Sequence, residues 1–148
     1  MTITQGANRL VDPYDGDAIA ARRTTRPPLR DGRPAAGRAH GYLHPNDKAA
    51  IVAAAAVLRE RFPVEAIYLF GSKATGRDDP ESDIDLLVLT SRSLHWRERD
   101  TITDILFDVE MRFEVVISTL IVNLEEWQHG AYQVLAIRDE IERDGVAA

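Results

Sequence analysis

The spacing of apolar residues predicts a helix that begins soon after residue 44. Asn46 and Asp47 are suitable N-cap residues, and Pro63 ends the helix because proline lacks a backbone N–H group. Between these limits four apolar side chains recur at helical spacing and share one face: Ile51, Ala55, Leu58 and Phe62. The pattern indicates an amphipathic helix that packs on a core.

Shorter apolar runs predict three strands. Residues 64–70 form a partly β-branched run that ends at Gly71, and residues 84–89 are apolar almost without interruption. The second run is typical of a strand that is covered on both faces. Residues 113–118 alternate, with Glu114 on the face that it shares with Val116 and Ser118, which predicts the third strand.

Further helices are predicted before and after the third strand. Helical spacing indicates one helix from about residue 94 to residue 111, and Asn123 with Glu126 forms a capping box for a short one. A final helix is stopped by Gly145. This order of elements predicts an α/β (α+β) domain in which helices flank a small mixed β-sheet.

The two parts of the chain differ in composition. Residues 22–38 mix arginine, proline and glycine without a helical or alternating period. Such a segment buries too little apolar surface to offset its ordering entropy. We therefore predict a disordered Arg/Pro-rich extension over residues 1–43 and a folded domain over residues 44–148. An arm that touches nucleic acid or a partner is the alternative for the extension.

Composition and charge exclude several classes of protein. The absence of cysteine removes disulfide scaffolds, thiolate zinc sites and cysteine nucleophiles. No apolar stretch approaches the roughly 18 residues that span a bilayer, and the N-terminus lacks the apolar core of a secretory signal. We therefore expect a soluble, cytoplasmic protein without a membrane partner. Residues 41–148 carry 11 basic and 20 acidic groups, so the folded body is not expected to bind nucleic acid.

A glycine-containing turn follows the first predicted strand. Gly71 precedes Ser72 and a segment of helix-forming residues, so the backbone N–H groups of residues 71–73 can point at an anion. Gly71 also has no side chain to block a phosphate. The residues after Gly76 do not match a P-loop, which has Lys and then Ser or Thr there. A simple turn is the alternative interpretation of the glycines.

Two carboxylates stand at the start of the second strand. Asp83 and Asp85 are two residues apart, so both point to one face of the sheet while Ile84 points to the other. Their attachment points lie roughly 6.6 Å apart, and like charges at that distance repel. A Mg²⁺ ion between the two carboxylates replaces this repulsion by attraction. It takes oxygen ligands and leaves coordination positions for substrate phosphates. A solvated pair of aspartates is the alternative, but the adjacent anion-binding turn favours metal-assisted phosphoryl chemistry.

The combined motif resembles a known family. G-S-x-A-x-G over residues 71–76, followed by S-D-x-D-L-L-V over residues 82–88, resembles the nucleotidyltransferase superfamily. That superfamily includes DNA polymerase beta, kanamycin nucleotidyltransferase and the minimal nucleotidyltransferases, and the resemblance covers residues 46–118. It implies the polymerase beta-like fold and a single-domain protein of the minimal type.

The resemblance also implies roles for individual residues. Gly71 and Ser72 would bind the nucleoside triphosphate. Lys73 is added to the nucleotide-binding set because its charge could neutralise phosphate near the loop, and Ser82 completes the set. Asp83 and Asp85 would hold two Mg²⁺ ions. A third carboxylate on a later strand commonly joins the metals and helps to deprotonate the attacking hydroxyl, and Glu114 is the candidate here. Arg77 is a further candidate for neutralising phosphate charge.

The implied activity is transfer of a nucleoside monophosphate from an NTP, expected to be ATP, to a hydroxyl acceptor. By the same resemblance the acceptor is expected on a partner protein of the HEPN-domain type, as in a toxin–antitoxin pair. The alternative is a non-catalytic nucleotide-binding or partner-binding module of the same fold. Glutamate at the third position, where the family usually has aspartate, favours that alternative.

Overall fold

The computed structural model describes residues 43–77, 79 and 81–148. The prediction of a disordered extension concerns residues 1–43, and all of these except Leu43 lie outside the described residues. The predicted start of the folded domain near residue 44 coincides with the beginning of the first described helix.

Helix α1 spans Pro45–Arg61. Its N-cap is His44, whose Nδ1 accepts a hydrogen bond from the backbone N–H of Asn46 at 3.3 Å. The prediction of Asn46 or Asp47 as the cap was therefore wrong, because Pro45 fits the first helical position, where no N–H group is needed. The predicted apolar stripe is confirmed, with Ile51, Ala55 and Leu58 buried and Phe62 partly buried.

In the part of the chain that the structure describes, four strands form one mixed sheet in the order β3-β2-β1-β4. The strands are β1 (Val64–Phe70), β2 (Ile84–Thr90), β3 (Ile117–Asn123) and β4 (Val146–Ala147). Strand β1 pairs antiparallel with β2 and with β4, whereas β2 pairs parallel with β3. The predicted mixed sheet flanked by helices is confirmed, as are the predicted positions of β1 and β2.

The remaining helices connect these strands. They are α2 (Gly71–Thr75), α3 (Trp96–Phe113), α4 (Leu124–His129), a 3-10 turn (Ala131–Val134) and α5 (Ala136–Asp144). Asn123 caps α4 by accepting the Glu126 N–H at 2.8 Å, and Gly145 follows α5, as predicted. Within the described residues, no helix combines the length and the apolar character needed to cross a membrane.

The core consists of two layers, one on each face of the sheet. On one face Leu86 and Val88 of β2 pack with α1 and α3. On the other face Leu87 and Leu89 pack with Trp127 of α4 and with α5. This double coverage explains why β2 is apolar almost throughout. Asp83, Asp85 and Leu87 are alternate residues, so their side chains lie on the same face of the sheet, the face that α5 covers.

The third strand lies further along the chain than the predicted range of residues 113–118. Helix α3 continues to Phe113, and Glu114 follows it as a C-cap in the left-handed conformation, with a φ of 55°. Strand β3 begins only at Ile117, whose N–H donates to the Glu110 carboxylate at 2.6 Å. The alternation over residues 113–118 therefore does not mark one strand. It crosses the last residue of a helix, a cap and the start of β3.

Candidate active site

Gly71 and Asp85 lie against each other where β1 meets β2. Phe70 is paired with Asp85 in the antiparallel ladder, and Gly71 follows with a φ of 73°, which favours glycine. A Cβ atom at Gly71 would lie only 2.5 Å from Oδ2 of Asp85. Any other residue at position 71 would therefore strain the backbone and collide with the carboxylate.

Helix α2 starts at this contact. Its N-cap residue is Phe70, whose side chain cannot accept a hydrogen bond, so no side chain of that residue caps the first backbone N–H groups. The other end of the helix is closed. The Thr75 hydroxyl and the Arg77 N–H each donate to the Ser72 carbonyl, at 3.1 Å in both cases. The start of α2 thus lies beside Asp85, and an anion bound by its first N–H groups stays a prediction.

Asp83 and Asp85 share the face of β2 next to this turn. Ile84 between them is fully buried on the opposite face, whereas Asp83 is exposed and Asp85 is half-buried. Burial, then the charge of Asp83 and then that of Glu140 on α5, raise the pKa of Asp85 above its usual value. The site thus concentrates negative charge, which a bound cation would neutralise.

The residues beside the pair belong to β3. In the parallel ladder Ile84 is paired with Ile117 and Asp85 with Ser118, and the Ile84 N–H donates to the Val116 carbonyl at 2.8 Å. One further step in the same register places Val116 next to Asp83. The Ser118 hydroxyl reaches Oδ2 of Asp83 at 3.5 Å. The side chains nearest the pair on this strand are therefore a valine and a serine.

Glu114, the candidate for the third carboxylate, does not lie on a strand. As the C-cap of α3 it is exposed and lines an apolar groove together with Met111 and Val116. Over the described residues, no group of three or more acidic or histidine side chains is placed to hold a metal ion. The structure brings Asp83 and Asp85 together but does not add Glu114 to them as a third ligand.

The two cations near the turn differ in environment. Lys73 is buried, and its Nζ lies 2.8 Å from Oδ2 of Asp47 on α1. Arg77 follows α2 and is exposed to solvent. Direct contact of either residue with a phosphate stays a prediction, but only Arg77 has its side chain in solvent.

Ser82 closes the loop that leads into β2. Its hydroxyl accepts the Asp79 N–H at 3.0 Å and donates to Oδ1 of Asp79 at 3.2 Å. The Asp79 carboxylate also accepts the Glu81 N–H at 2.9 Å. In this structure Ser82 stabilises the loop that precedes Asp83 by bonding to Asp79. Its contact with nucleotide stays a prediction.

Sequence analysis missed three residues that border the site. Asp47 was interpreted as a helix cap and is instead the ion-pair partner of Lys73, which lies 26 positions further along the chain. Ser118 and Glu140 approach the aspartates through β3 and α5. The alternation of Ser118 with its neighbours was a usable signal, whereas no local pattern indicates the other two contacts.

A family model described as "Polymerase beta, Nucleotidyltransferase" matches residues 54–142 of the chain. The chain belongs to this family. The matched segment runs from α1 into α5, and so includes the whole of α2, β2 and β3 and with them the Gly71 turn and both aspartates. A search of curated proteins finds none that matches the chain.

The polymerase beta nucleotidyltransferase family and the local geometry agree on the chemistry that this site can support. Two carboxylates on one face suit Mg²⁺, which is often bound through one or two carboxylates and substrate phosphates. The contact between Gly71 and Asp85 leaves room for no side chain between the turn and the carboxylates. The pair of carboxylates on this face therefore fits a divalent cation.

Proposed function

We propose that this protein binds a nucleoside triphosphate with Mg²⁺ and transfers the nucleoside monophosphate to a hydroxyl group. Asp83 and Asp85 would hold the metal, and the backbone N–H groups of the Gly71–Ser72 turn would hold the phosphates. The observation that carries the proposal is the direct contact between Gly71 and the Asp85 carboxylate. It supports the proposal because the turn that would bind the phosphates lies beside a carboxylate that would bind the metal.

The reaction breaks a phosphoanhydride bond and forms a phosphoester bond. The acceptor oxygen forms a bond to the α-phosphorus while the bond from that phosphorus to the pyrophosphate oxygen breaks. The acceptor proton passes to solvent or to a nearby base, and pyrophosphate leaves. Bound Mg²⁺ supplies Lewis-acid stabilisation of the charge that develops on the phosphate oxygens. The role of the chain's own groups is to orient the triphosphate between the turn and the aspartates.

The proposed nucleotide is ATP, and the proposed acceptor is a hydroxyl on a partner protein of the HEPN-domain type. This part of the proposal rests on the resemblance of the 71–88 motif to the minimal nucleotidyltransferases. The proposed setting is the cytoplasm, where Mg²⁺ and ATP are both present.

One observation favours a second candidate function. Ser118 of β3 and Val116, which directly precedes that strand, stand beside Asp85 and Asp83 where a carboxylate would be expected. A chain that holds Mg²⁺ and nucleotide without a nearby base would act as a nucleotide-dependent binding module or antitoxin. Such a module would bind Mg-ATP without transferring label.

The test measures binding and transfer in the same protein. We expect Mg-ATP to bind by titration calorimetry, and label from α-labelled ATP to appear on protein acceptors in a lysate of the source cell. Asp83→Asn and Asp85→Asn should each lower transfer by at least about 100-fold, because each removes a charged metal ligand. Asp100→Asn, an exposed carboxylate on α3, is the matched control and should transfer normally.

The results separate the two candidates. Binding without transfer supports the binding module, and binding with aspartate-dependent transfer supports the enzyme. Equal transfer by wild type and both site variants would sink the proposed chemistry. No binding of Mg-ATP by the wild type would remove both candidates.

A further inference from the structure

Asp47 and Lys73 form an ion pair inside the protein. Their side chains retain only 9 % and 2 % of their exposure, and Nζ lies 2.8 Å from Oδ2. Among the described residues, no other charged side chain is buried to this degree. The pair joins the first turn of α1 to the middle of α2.

Such a pair is not required for stability. Removing two charges from water costs about as much as their attraction returns, so apolar residues of similar volume often replace a buried ion pair without loss. An ion pair differs from an apolar contact in direction, since its attraction and hydrogen bond fix where one atom lies relative to another. The position of the pair therefore suggests that it fixes geometry.

Helix α2 depends on contacts outside itself, and the ion pair is its charged contact with α1. It has five residues, fewer than two turns, and isolated helices of that length are not stable in water. Helix α1, in contrast, has 17 residues and is anchored by Ala50, Ala54 and Leu58 in the core. Lys73 follows Gly71 and Ser72 directly, so whatever holds Lys73 also orients the turn before it.

We propose that the Asp47–Lys73 ion pair is a positioning device that holds the Gly71–Ser72 turn against the Asp85 carboxylate. Asp47 and Lys73 are positioning residues that act through α2. The inference rests on the proposed function, because it concerns the turn that would hold the phosphates. It assigns Lys73 a role different from direct contact with phosphate, which suits a buried ammonium group that already has a carboxylate partner.

The central test replaces the ion pair by an apolar pair. The double variant Asp47→Leu/Lys73→Met keeps the branching and approximate length of the two side chains and removes both charges, so its midpoint of urea unfolding should stay close to that of wild type. Local order of α2 is then measured in the metal-free protein by hydrogen exchange at Gly76 and Arg77. Both of these N–H groups donate to the Ser72 carbonyl, so they report whether the turn is closed.

We expect exchange at Gly76 and Arg77 to become about tenfold faster in the double variant, while exchange in β2 stays unchanged. The Kd for Mg-ATP should rise by about tenfold or more, because a preorganised site is sensitive to displacements of an ångström. Thr90→Val is the matched control. Thr90 is buried at the other end of β2 and donates to the Arg92 carbonyl, so this variant should lose stability without faster exchange at Gly76.

Asp47→Asn provides a second route to the same answer if the double variant does not fold. It keeps the size and an oxygen acceptor but removes the carboxylate charge that Lys73 faces, so it should accelerate exchange at the same two amides at least as much. Unchanged exchange at Gly76 and Arg77 in a folded variant of either kind overturns the inference. Failure of wild type to bind Mg-ATP would instead defeat the proposed function, while the exchange data still decide the role of the pair.

Discussion

Carboxylates at the two ends of β2 have opposite environments. At the site end, defined by Gly71, Asp83 and Asp85, burial and neighbouring negative charge raise the pKa of Asp85. At the cap end, defined by Arg92, His95 and Glu98, two hydrogen bonds from Arg92 and one from the His95 N–H lower the pKa of Glu98 to about 2. The charge of the Glu98 carboxylate is thus stabilised by hydrogen bonds within the protein, whereas the charge of the Asp85 carboxylate is disfavoured by its surroundings.

The comparison separates a carboxylate whose charge has partners within the fold from one whose charge is disfavoured there. Glu98 and His95 complete a capping box that starts α3, so the charge at the cap end has a purpose within the folded chain. The charges of Asp83 and Asp85 oppose each other in the absence of a ligand. Electrostatic repulsion of this kind, with a perturbed pKa, is common at functional sites.

The largest expected effect comes from Gly71→Ala. The added methyl group would collide with Oδ2 of Asp85 and force a non-glycine residue to a φ of 73°. We expect a loss of about 1–3 kcal/mol in the free energy of unfolding and no measurable binding of Mg-ATP. Urea denaturation and calorimetry measure the two quantities.

Gly76→Asn is the control for this substitution. Gly76 also has a positive φ, of 70°, but asparagine tolerates that conformation. If Gly71→Ala were as mild as Gly76→Asn, the close contact at the site end would have no importance for binding.

A carboxylate introduced at position 116 should increase the difference in negative charge between the site end and the cap end of β2. Val116→Asp would stand beside Asp83 and add a third negative oxygen ligand, so we expect Mg²⁺ to bind roughly tenfold more tightly. Without metal the same variant should be less stable than wild type, because it adds like charge. Thermal unfolding over a Mg²⁺ titration measures both effects.

Val52→Asp is the matched control for position 116. Val52 is exposed on α1, and Val116 is exposed to a similar degree. Tighter Mg²⁺ binding by both variants would indicate a general effect of net charge and not a place for a third ligand.

The pH dependence of stability should differ between wild type and Asp85→Asn in EDTA. A raised pKa in the folded state means that Asp85 favours folding below its unfolded pKa, near 3.8, and that this contribution is lost as the pH rises through the higher folded value. Asp85→Asn should therefore be the more stable protein near neutral pH. Equal stability of the two proteins at neutral pH would mean that Asp85 is not destabilised in the metal-free fold.

The smallest effect is expected at the cap end. The pKa of Glu98 is lowered, so its stabilising contribution is present above its unfolded pKa, near 4.5, and is lost as the pH falls toward about 2. Glu98→Gln keeps an oxygen acceptor for the cap but should flatten the loss of thermal stability over this range. Because Glu98 is partly exposed and its partner Arg92 is exposed, 1 M salt should reduce the difference. A difference that grows in salt would contradict this explanation.

Sequence patterns predicted the parts of the fold that depend on local burial. Strand β2 was recognisable because its apolar run is covered on both faces, and α1 because Ile51, Ala55 and Leu58 share a stripe. Strand β3 was misplaced because alternation alone does not show where a helix ends. The left-handed C-cap at Glu114, which decides the register, is normally suggested by glycine or asparagine, and neither is present.

The candidate site was predictable to a similar extent. Gly71 and Asp85 are brought together by antiparallel pairing of two consecutive strands, which sequence order already suggests. Lys73 was predicted as a phosphate ligand because its side chain is charged and adjacent to the turn. Only the three-dimensional structure shows its partner Asp47, since no periodic pattern links residues so distant in the chain.

The antiparallel pairing of β1 with β2 also has a consequence for how the protein folds. Gly71 and Asp85 are only 14 positions apart, so their encounter closes a short loop, whereas pairing of β2 with β3 must wait for the long α3 crossover. Loop-closure entropy is smaller for the shorter connection. We therefore expect the hairpin to form early during folding, so that the turn and its carboxylates meet before the parallel edge of the sheet is complete.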